Sequence, residues 1–163
     1  MLLGLLSDSH NNRPDVQYTI EVFKTLGVKV VLHMGDLISA VLLEEFRDFS
    51  LYLSFGNGDD PDNILSKASN FPDQLVCEEM LDLNLAGKRI FMIHGDHKIE
   101  LERRILSGSY DYVFHGHTHR FRDEMIGSTR VINPGALGGR YIGERSFATL
   151  DLTKNELQRY FIP

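Results

Sequence analysis

The chain has 163 residues, 42% hydrophobic and 25% charged, with a formal net charge of −6. That is enough chain to bury a sizeable core, and the length predicts one domain over residues 1–163. An acidic balance without a basic run argues against a bulk nucleic-acid or membrane-surface binder, and the single Cys77 excludes an intrachain disulfide and suits a reducing cytoplasm.

The apolar start, Met1 to Leu6, meets Asp8 and His10 at once and has no basic flank, so it reads as a first strand rather than a leader. No window approaches the ~20 apolar residues of a membrane span. Leu2 to Ser7 is apolar throughout, as a strand covered on both faces must be. Asp15 to Leu26 carries Val16, Ile20, Phe23 and Leu26 at helical spacing, with Pro14 near its start and Gly27 beyond its end. Val28 to His33 predicts a second strand, Val41 to Phe49 a helix, Leu51 to Phe55 a third strand and Asp62 to Ala68 a short helix. This alternation implies parallel strands with right-handed crossovers.

After Pro72 the texture becomes strand-rich. Gln74 to Leu83 and Arg89 to Ile93 predict a hairpin through Ala86-Gly87. Lys98 to Leu106 predicts a helix closed by Gly108, and Tyr112 to His115 a short buried strand. Asp123 to Ile126, Arg130 to Asn133, Ser146 to Leu152 and Glu156 to Ile162 come next as strands, with turns at Gly127-Ser128 and Lys154-Asn155. The expected class is α/β, with two sheets packed together and helices outside.

Five predicted strand ends carry polar residues: Asp8-Ser9-His10, Gly35-Asp36, Gly56-Asn57, His94-Gly95 and Gly116-His117-Thr118-His119. Singly, each is ordinary. An aspartate after a strand caps or turns the chain, Asn-Gly is a common hairpin dipeptide, and a lone histidine is usually structural. Together they are not ordinary, because the carboxyl ends of strands in α/β sheets open on one cleft. Two aspartates, an asparagine and four histidines form a mixed nitrogen and oxygen donor set. Such a set suits manganese, iron, zinc, nickel or cobalt better than calcium or magnesium. Seven donors are too many for one open site, but divide well between two ions ~3.5–4 Å apart with one carboxylate bridging.

These five motifs resemble, in order, those of the calcineurin-like metallophosphoesterases. The short length and Asn133-Pro134-Gly135 make the chain similar to the small single-domain prokaryotic phosphodiesterases of that superfamily. The resemblance implies a two-sheet mixed β-sandwich flanked by helices and two divalent transition-metal ions, manganese above all. Asp8, His10, Asp36 and His119 would hold the first ion. Asn57, His94 and His117 would hold the second, with Asp36 shared. The implied reaction is hydrolysis of a small phosphodiester by a metal-bridging hydroxide, with Asp36 and Asn57 as catalytic residues and Asn57 also touching phosphate. Homo-oligomer formation stays open.

One position departs from the pattern. Most of the superfamily has histidine after the third-motif asparagine, where it helps bind phosphate or protonate the leaving group; here it is Gly58. Losing such an acid costs roughly 10²–10⁴-fold on a poor leaving group, which favours phosphodiesters and aryl esters over alkyl monoesters. His97 is the candidate replacement acid, against a plain reading as a solvated loop histidine. Arg140, in Gly138-Gly139-Arg140, is a candidate phosphate contact, although no helix succeeds it as in a phosphate loop. His33 and His115 are expected to face the core, with support of the neighbouring motif residues as the lesser reading. Cys77, beside Glu78 and Glu79, is no nucleophile, since that setting raises a thiol pKa. The competing function is a non-catalytic scaffold on the same fold, like the retromer subunit of the superfamily. Decay of the donor set would mark it, and all seven positions are intact. A closed metal-storage site is disfavoured because the shared set leaves room for a reactant.

Overall fold

β1 (Leu2–Leu6) shows why the first run is apolar throughout. Leu3 and Leu5 enter the space between two sheets, while Leu6 joins the layer under the helices. Gly4 faces that layer too. A Cβ there would stand 2.6 Å from the Phe23 ring, so helix α1 (Arg13–Thr25) packs this closely only on bare backbone. Asn12 caps α1 by accepting the Asp15 N–H, Pro14 lies in its first turn, and Val16, Ile20 and Phe23 form its buried stripe.

The computed structural model describes residues 1–71, 74–139 and 144–163. The larger sheet adds β2 (Val30–His33), β3 (Ser50–Ser54), β4 (Leu75–Glu78), β10 (Ser146–Asp151) and β11 (Glu156–Phe161), in the order β11-β10-β1-β2-β3-β4. β1 to β4 run parallel, and β10 and β11 close one side antiparallel. The smaller sheet contains β5 (Met80–Leu85), β6 (Lys88–Ile93), β7 (Tyr112–Phe114), β8 (Arg122–Ile126) and β9 (Thr129–Asn133), in the order β5-β6-β7-β9-β8. Leu3, Leu5, Leu32 and Leu150 from the larger sheet meet Met92, Phe114 and Ile132 from the smaller in one buried cluster. Outside, α1 and α2 (Pro61–Ala68) cover the larger sheet, and Leu101 and Ile105 of α3 (Lys98–Leu106) pack on Phe91, Val113 and Val131 of the smaller. The expected mixed two-sheet sandwich flanked by helices is therefore the fold.

Two local expectations are corrected. The predicted hairpin arm from Gln74 to Leu83 is two strands in different sheets: β4 pairs with β3, and β5 pairs with β6. The chain changes sheets at Glu79, where no glycine or proline announces the break. The predicted helix from Val41 to Phe49 is a 3₁₀ segment over Ala40–Phe46. Its buried residues are Ala40, Leu42, Leu43 and Phe46; Ala40, Leu43 and Phe46, with buried Phe49 beyond them, recur every third position, which is the period of a 3₁₀ turn.

Candidate metal centre

Every candidate donor lies just beyond the carboxyl end of a strand: Asp8 and His10 after β1, Asp36 after β2, Asn57 after β3, His94 after β6, and His117 and His119 after β7. Parallel pairing within each sheet brings these ends to common rims. The rims of the two sheets then meet. Gly116, after β7, lies so close to Ser7 and Asp8, after β1, that a Cβ would overlap both side chains.

Backbone strain concentrates here. Nine described non-glycine residues have positive φ, and seven of them are Asp8, His10, Asn11, Asp36, Ile38, His117 and His119; the other two, Ala86 and Asn155, sit in hairpin turns. A left-handed L-residue costs roughly 1–2 kcal/mol, more for β-branched Ile38, so surrounding contacts must enforce these conformations. Those contacts are visible. The His117 N–H donates to Asp8 Oδ2 at 3.1 Å, as does the Ser7 hydroxyl at 2.5 Å. The Gly58 N–H donates to Asp36 Oδ1 at 2.8 Å, which leaves Oδ2 to face the histidines.

Asp8, His10, Asp36 and His119 each offer one atom within 4.8 Å of the others. His119 Nε2 lies 3.2 Å from Asp8 Oδ1 and 3.2 Å from His10 Nε2. Asp36 Oδ2 lies 3.5 Å from His10 Nε2 and 3.6 Å from His94 Nε2, and His94 Nε2 lies 3.3 Å from His117 Nδ1. His94 Nδ1 meets the Met34 carbonyl at 2.7 Å; a carbonyl only accepts, so Nδ1 carries the proton and Nε2 turns a lone pair toward Asp36 and His117. Asp8 Oδ1 is buried without a hydrogen-bond partner, its neighbour His119 lying close but out of hydrogen-bond alignment. A buried carboxylate oxygen without an aligned hydrogen bond, beside converging imidazole nitrogens, fits a divalent cation.

Asn57 is exposed on the turn between Gly56 and Gly58, both packed on Asp36. It lines a cavity of about 380 Å³ together with His97. His97 stands at the start of α3, its Nε2 3.4 Å from Glu79 Oε1 and 3.7 Å from Asp96 Oδ2. Arg140 lies outside the described residues, but Gly139 beside it passes against the His10 and His119 rings.

Burial pushes the Asp8 carboxyl up, yet attraction to His119 and His94 and the Ser7 hydroxyl outweigh it and hold Asp8 below its usual value. The same pairing with Asp8 raises His119, against partial burial. Burial drives His33 down to about 3 and His115 down to about 4, so both are neutral. Both do face the interior, and both also touch the motif loops. Gly35 N–H donates to His33 Nδ1 at 3.2 Å, so Nε2 carries the proton and donates to Ser9 Oγ at 2.6 Å. Arg122 Nη1 lies 3.3 Å from His115 Nε2, and Asn133 Nδ2 donates to the Gly116 carbonyl and the Thr118 hydroxyl. Cys77 is pushed up to about 12, chiefly by burial, and is no nucleophile.

Sequence reasoning passed over Asp59. Its carboxylate accepts the N–H groups of Asp36, Ile38 and Gly56, tying the second and third motifs together. The only trace was an acidic residue closing the Asn57-Gly58 turn.

A family model for the calcineurin-like phosphoesterase superfamily domain matches residues 1–155. The chain belongs to that superfamily. It is 31% identical over 159 residues to phosphodiesterase MJ0936 of Methanocaldococcus jannaschii, covering 96% of each chain. An archaeal phosphodiesterase structure superposes with a TM-score of 0.93 at 29% identity, over 99% of this chain and 100% of that one. A single mutant of Vps29 from Entamoeba histolytica shares the fold at a TM-score of 0.72 and 18% identity, over 100% of both chains. As a calcineurin-like phosphoesterase, the chain is a metal-dependent hydrolase acting on phosphoric esters. Among the described residues, no helix is long and apolar enough to cross a membrane.

Proposed function

We propose that this phosphoesterase is a dinuclear phosphodiesterase. Asp8, His10, Asp36 and His119 would hold one divalent ion; Asn57, His94 and His117 would hold the other, with Asp36 between them. The observation that carries this reading is the position of Asp36 Oδ2, 3.5 Å from His10 Nε2 and 3.6 Å from His94 Nε2, between two sets of nitrogen donors. The curated relative named as a phosphodiesterase supports the diester as substrate.

When bound, two such ions would supply a hydroxide near neutral pH and neutralise phosphoryl oxygens during in-line attack. The chain's own residues do the positioning. Gly58 and Asp59 orient Asp36 through backbone hydrogen bonds, Ser7 and His117 orient Asp8, and the Met34 carbonyl fixes the His94 tautomer. Exposed Asn57 is free to contact a phosphate oxygen. His97, with no histidine at position 58, is the candidate to protonate a leaving group from the cavity it shares with Asn57. Manganese is the expected ion, with nickel, iron, zinc and cobalt as alternatives.

The test combines stoichiometry and turnover. Chelated protein should bind two manganese ions per chain by equilibrium dialysis, and should hydrolyse bis(4-nitrophenyl) phosphate only after metal is restored. Asp36→Asn should impair both ions. Two ions bound without turnover on aryl diesters, cyclic nucleotides, dinucleotides or head-group diesters would favour the scaffold reading; one ion per chain would overturn the dinuclear assignment.

A further inference from the structure

The cavity beside Asn57 is not a continuation of the donor cluster. Phe55, Pro61 and Ile93 give it apolar walls, Gly56, which packs on Asp36, and Asn57 line its side next to the candidate metal centre, and Glu79, Asp96 and His97 form its polar side. These residues come from both sheets and from the starts of α2 and α3, at the place where the chain crosses between sheets at Glu79. The sheet crossing that the sequence concealed therefore builds one wall of this space.

Resting on the phosphodiesterase reading, we infer that this cavity is the subsite for one ester substituent of the substrate, and that it selects a flat, uncharged ring such as an aryl group or a nucleobase. Its volume of about 380 Å³ falls in the range of small-molecule pockets, and is far larger than a methyl or ethyl group can fill. The Phe55 ring offers a stacking surface, and it is braced from behind by the core under the helices, so its position does not depend on the ligand. Asn57 belongs both to the cavity wall and to the donor set, so a phosphoryl group at the ions would direct an ester oxygen toward the opening.

The polar side sets the charge preference. His97 Nε2 stands between Glu79 Oε1 at 3.4 Å and Asp96 Oδ2 at 3.7 Å, and no lysine or arginine among the described residues lines the space. Two carboxylates against one imidazole disfavour an anionic substituent, such as a second phosphate or a carboxylate. The substrate class is thus a diester with one neutral ring-bearing alcohol, rather than an internal linkage of a polynucleotide.

The experiment uses the manganese-loaded full chain. Bis(4-nitrophenyl) phosphate is compared with bis(3-carboxy-4-nitrophenyl) phosphate, in which either ring that enters the cavity carries a carboxylate while the leaving group is still a nitrophenolate. Wild type should prefer the neutral diester. Phe55→Ala should raise KM for the neutral diester about tenfold, the cost of losing one hydrophobic contact surface. Glu79→Lys, an exposed change that leaves the core intact, should raise kcat/KM for the carboxylated diester about threefold to fivefold, as a surface charge pair allows. In zinc-loaded protein, diphenyl phosphate should shift the Ile93 δ-methyl resonance, a readout independent of turnover. Wild-type hydrolysis with unchanged KM in Phe55→Ala, no charge preference and no Ile93 shift would overturn the subsite alone. No hydrolysis of either diester by wild type would overturn the phosphodiesterase reading, and the subsite with it.

Discussion

Asp59 Oδ2 accepts the backbone N–H of Asp36 at 2.9 Å, and so fixes the loop that presents the central carboxylate of the donor cluster. The same oxygen takes the Gly56 N–H at 2.8 Å, and Oδ1 takes that of Ile38 at 2.7 Å. Three strained or tightly packed positions are held by one side chain. Asp59→Asn puts an amide donor where an acceptor is required. Metal affinity measured by calorimetry should fall about 10–100-fold, as for other groups that orient ligands, with a stability loss of about 1–3 kcal/mol in urea. Unchanged affinity would show that the loop holds its shape without Asp59.

Gly58 cannot simply be converted to the histidine common in the superfamily. A Cβ there would stand 2.6 Å from Ile38 Cδ1 and 3.0 Å from Asp36 Oδ1. The Cδ1 end of exposed Ile38 can rotate away, but Asp36 Oδ1 accepts the Gly58 N–H at 2.8 Å and is fixed against the new side chain. Gly58→His should therefore fail to create alkyl monoesterase activity and should weaken metal binding. A gain in monoester turnover at undiminished metal affinity would contradict this.

The proton-donor role proposed for His97 makes a graded prediction. His97→Gln should lower kcat more for alkoxide leaving groups than for 4-nitrophenolate, whose departure needs little help, by about 10²-fold at most on the poorest. An equal loss across a leaving-group series would leave His97 as part of the cavity wall only.

The metal-free protein should weaken in mild acid. His33 and His115 ionise in the fold at about 3 and about 4, below the 6.5 of an unperturbed histidine, because burial penalises their charged forms. The unfolded chain therefore takes up these protons first, so their contribution is full above pH 6.5 and is lost as pH falls from there through about 4 and about 3. Urea titrations at about pH 7.5 and about pH 5 should differ by a loss on the order of 2 kcal/mol per histidine. His33→Gln should flatten that dependence, and an unaltered slope would contradict the assignment.

Metal removal should cost stability as well as activity. Ions that bind only the folded chain stabilise it by mass action, about 2.7 kcal/mol at a hundredfold excess over Kd. Manganese should raise the urea midpoint of the chelated protein, and Asp8→Asn, which alters the carboxylate with the orphan oxygen, should reduce that gain. A midpoint indifferent to manganese would argue against a cation at this cluster.

The five polar motifs were legible in the chain itself, because a buried parallel strand is a short apolar run and the residue that leaves it is abruptly polar. Asp8, Asp36, Asn57, His94 and the His117 and His119 pair could thus be assigned to strand ends without coordinates. The superfamily could be recognised from the same residues. Anything carried by pairing between distant segments lay beyond the sequence. The break at Glu79 is invisible locally, because β4 and β5 together look like one strand until their different partners separate them. The 3₁₀ turn of Ala40–Phe46 and the cavity lined by Phe55, Ile93 and His97 likewise rest on packing between distant segments. Asp59 and His33 act through backbone amides and a hydroxyl brought to them by the fold, contacts that leave no periodic signature. Local patterning determined where each strand stops and which polar residues leave it; long-range pairing decided which of those ends share a rim, because only the packed sheets bring one rim against the other.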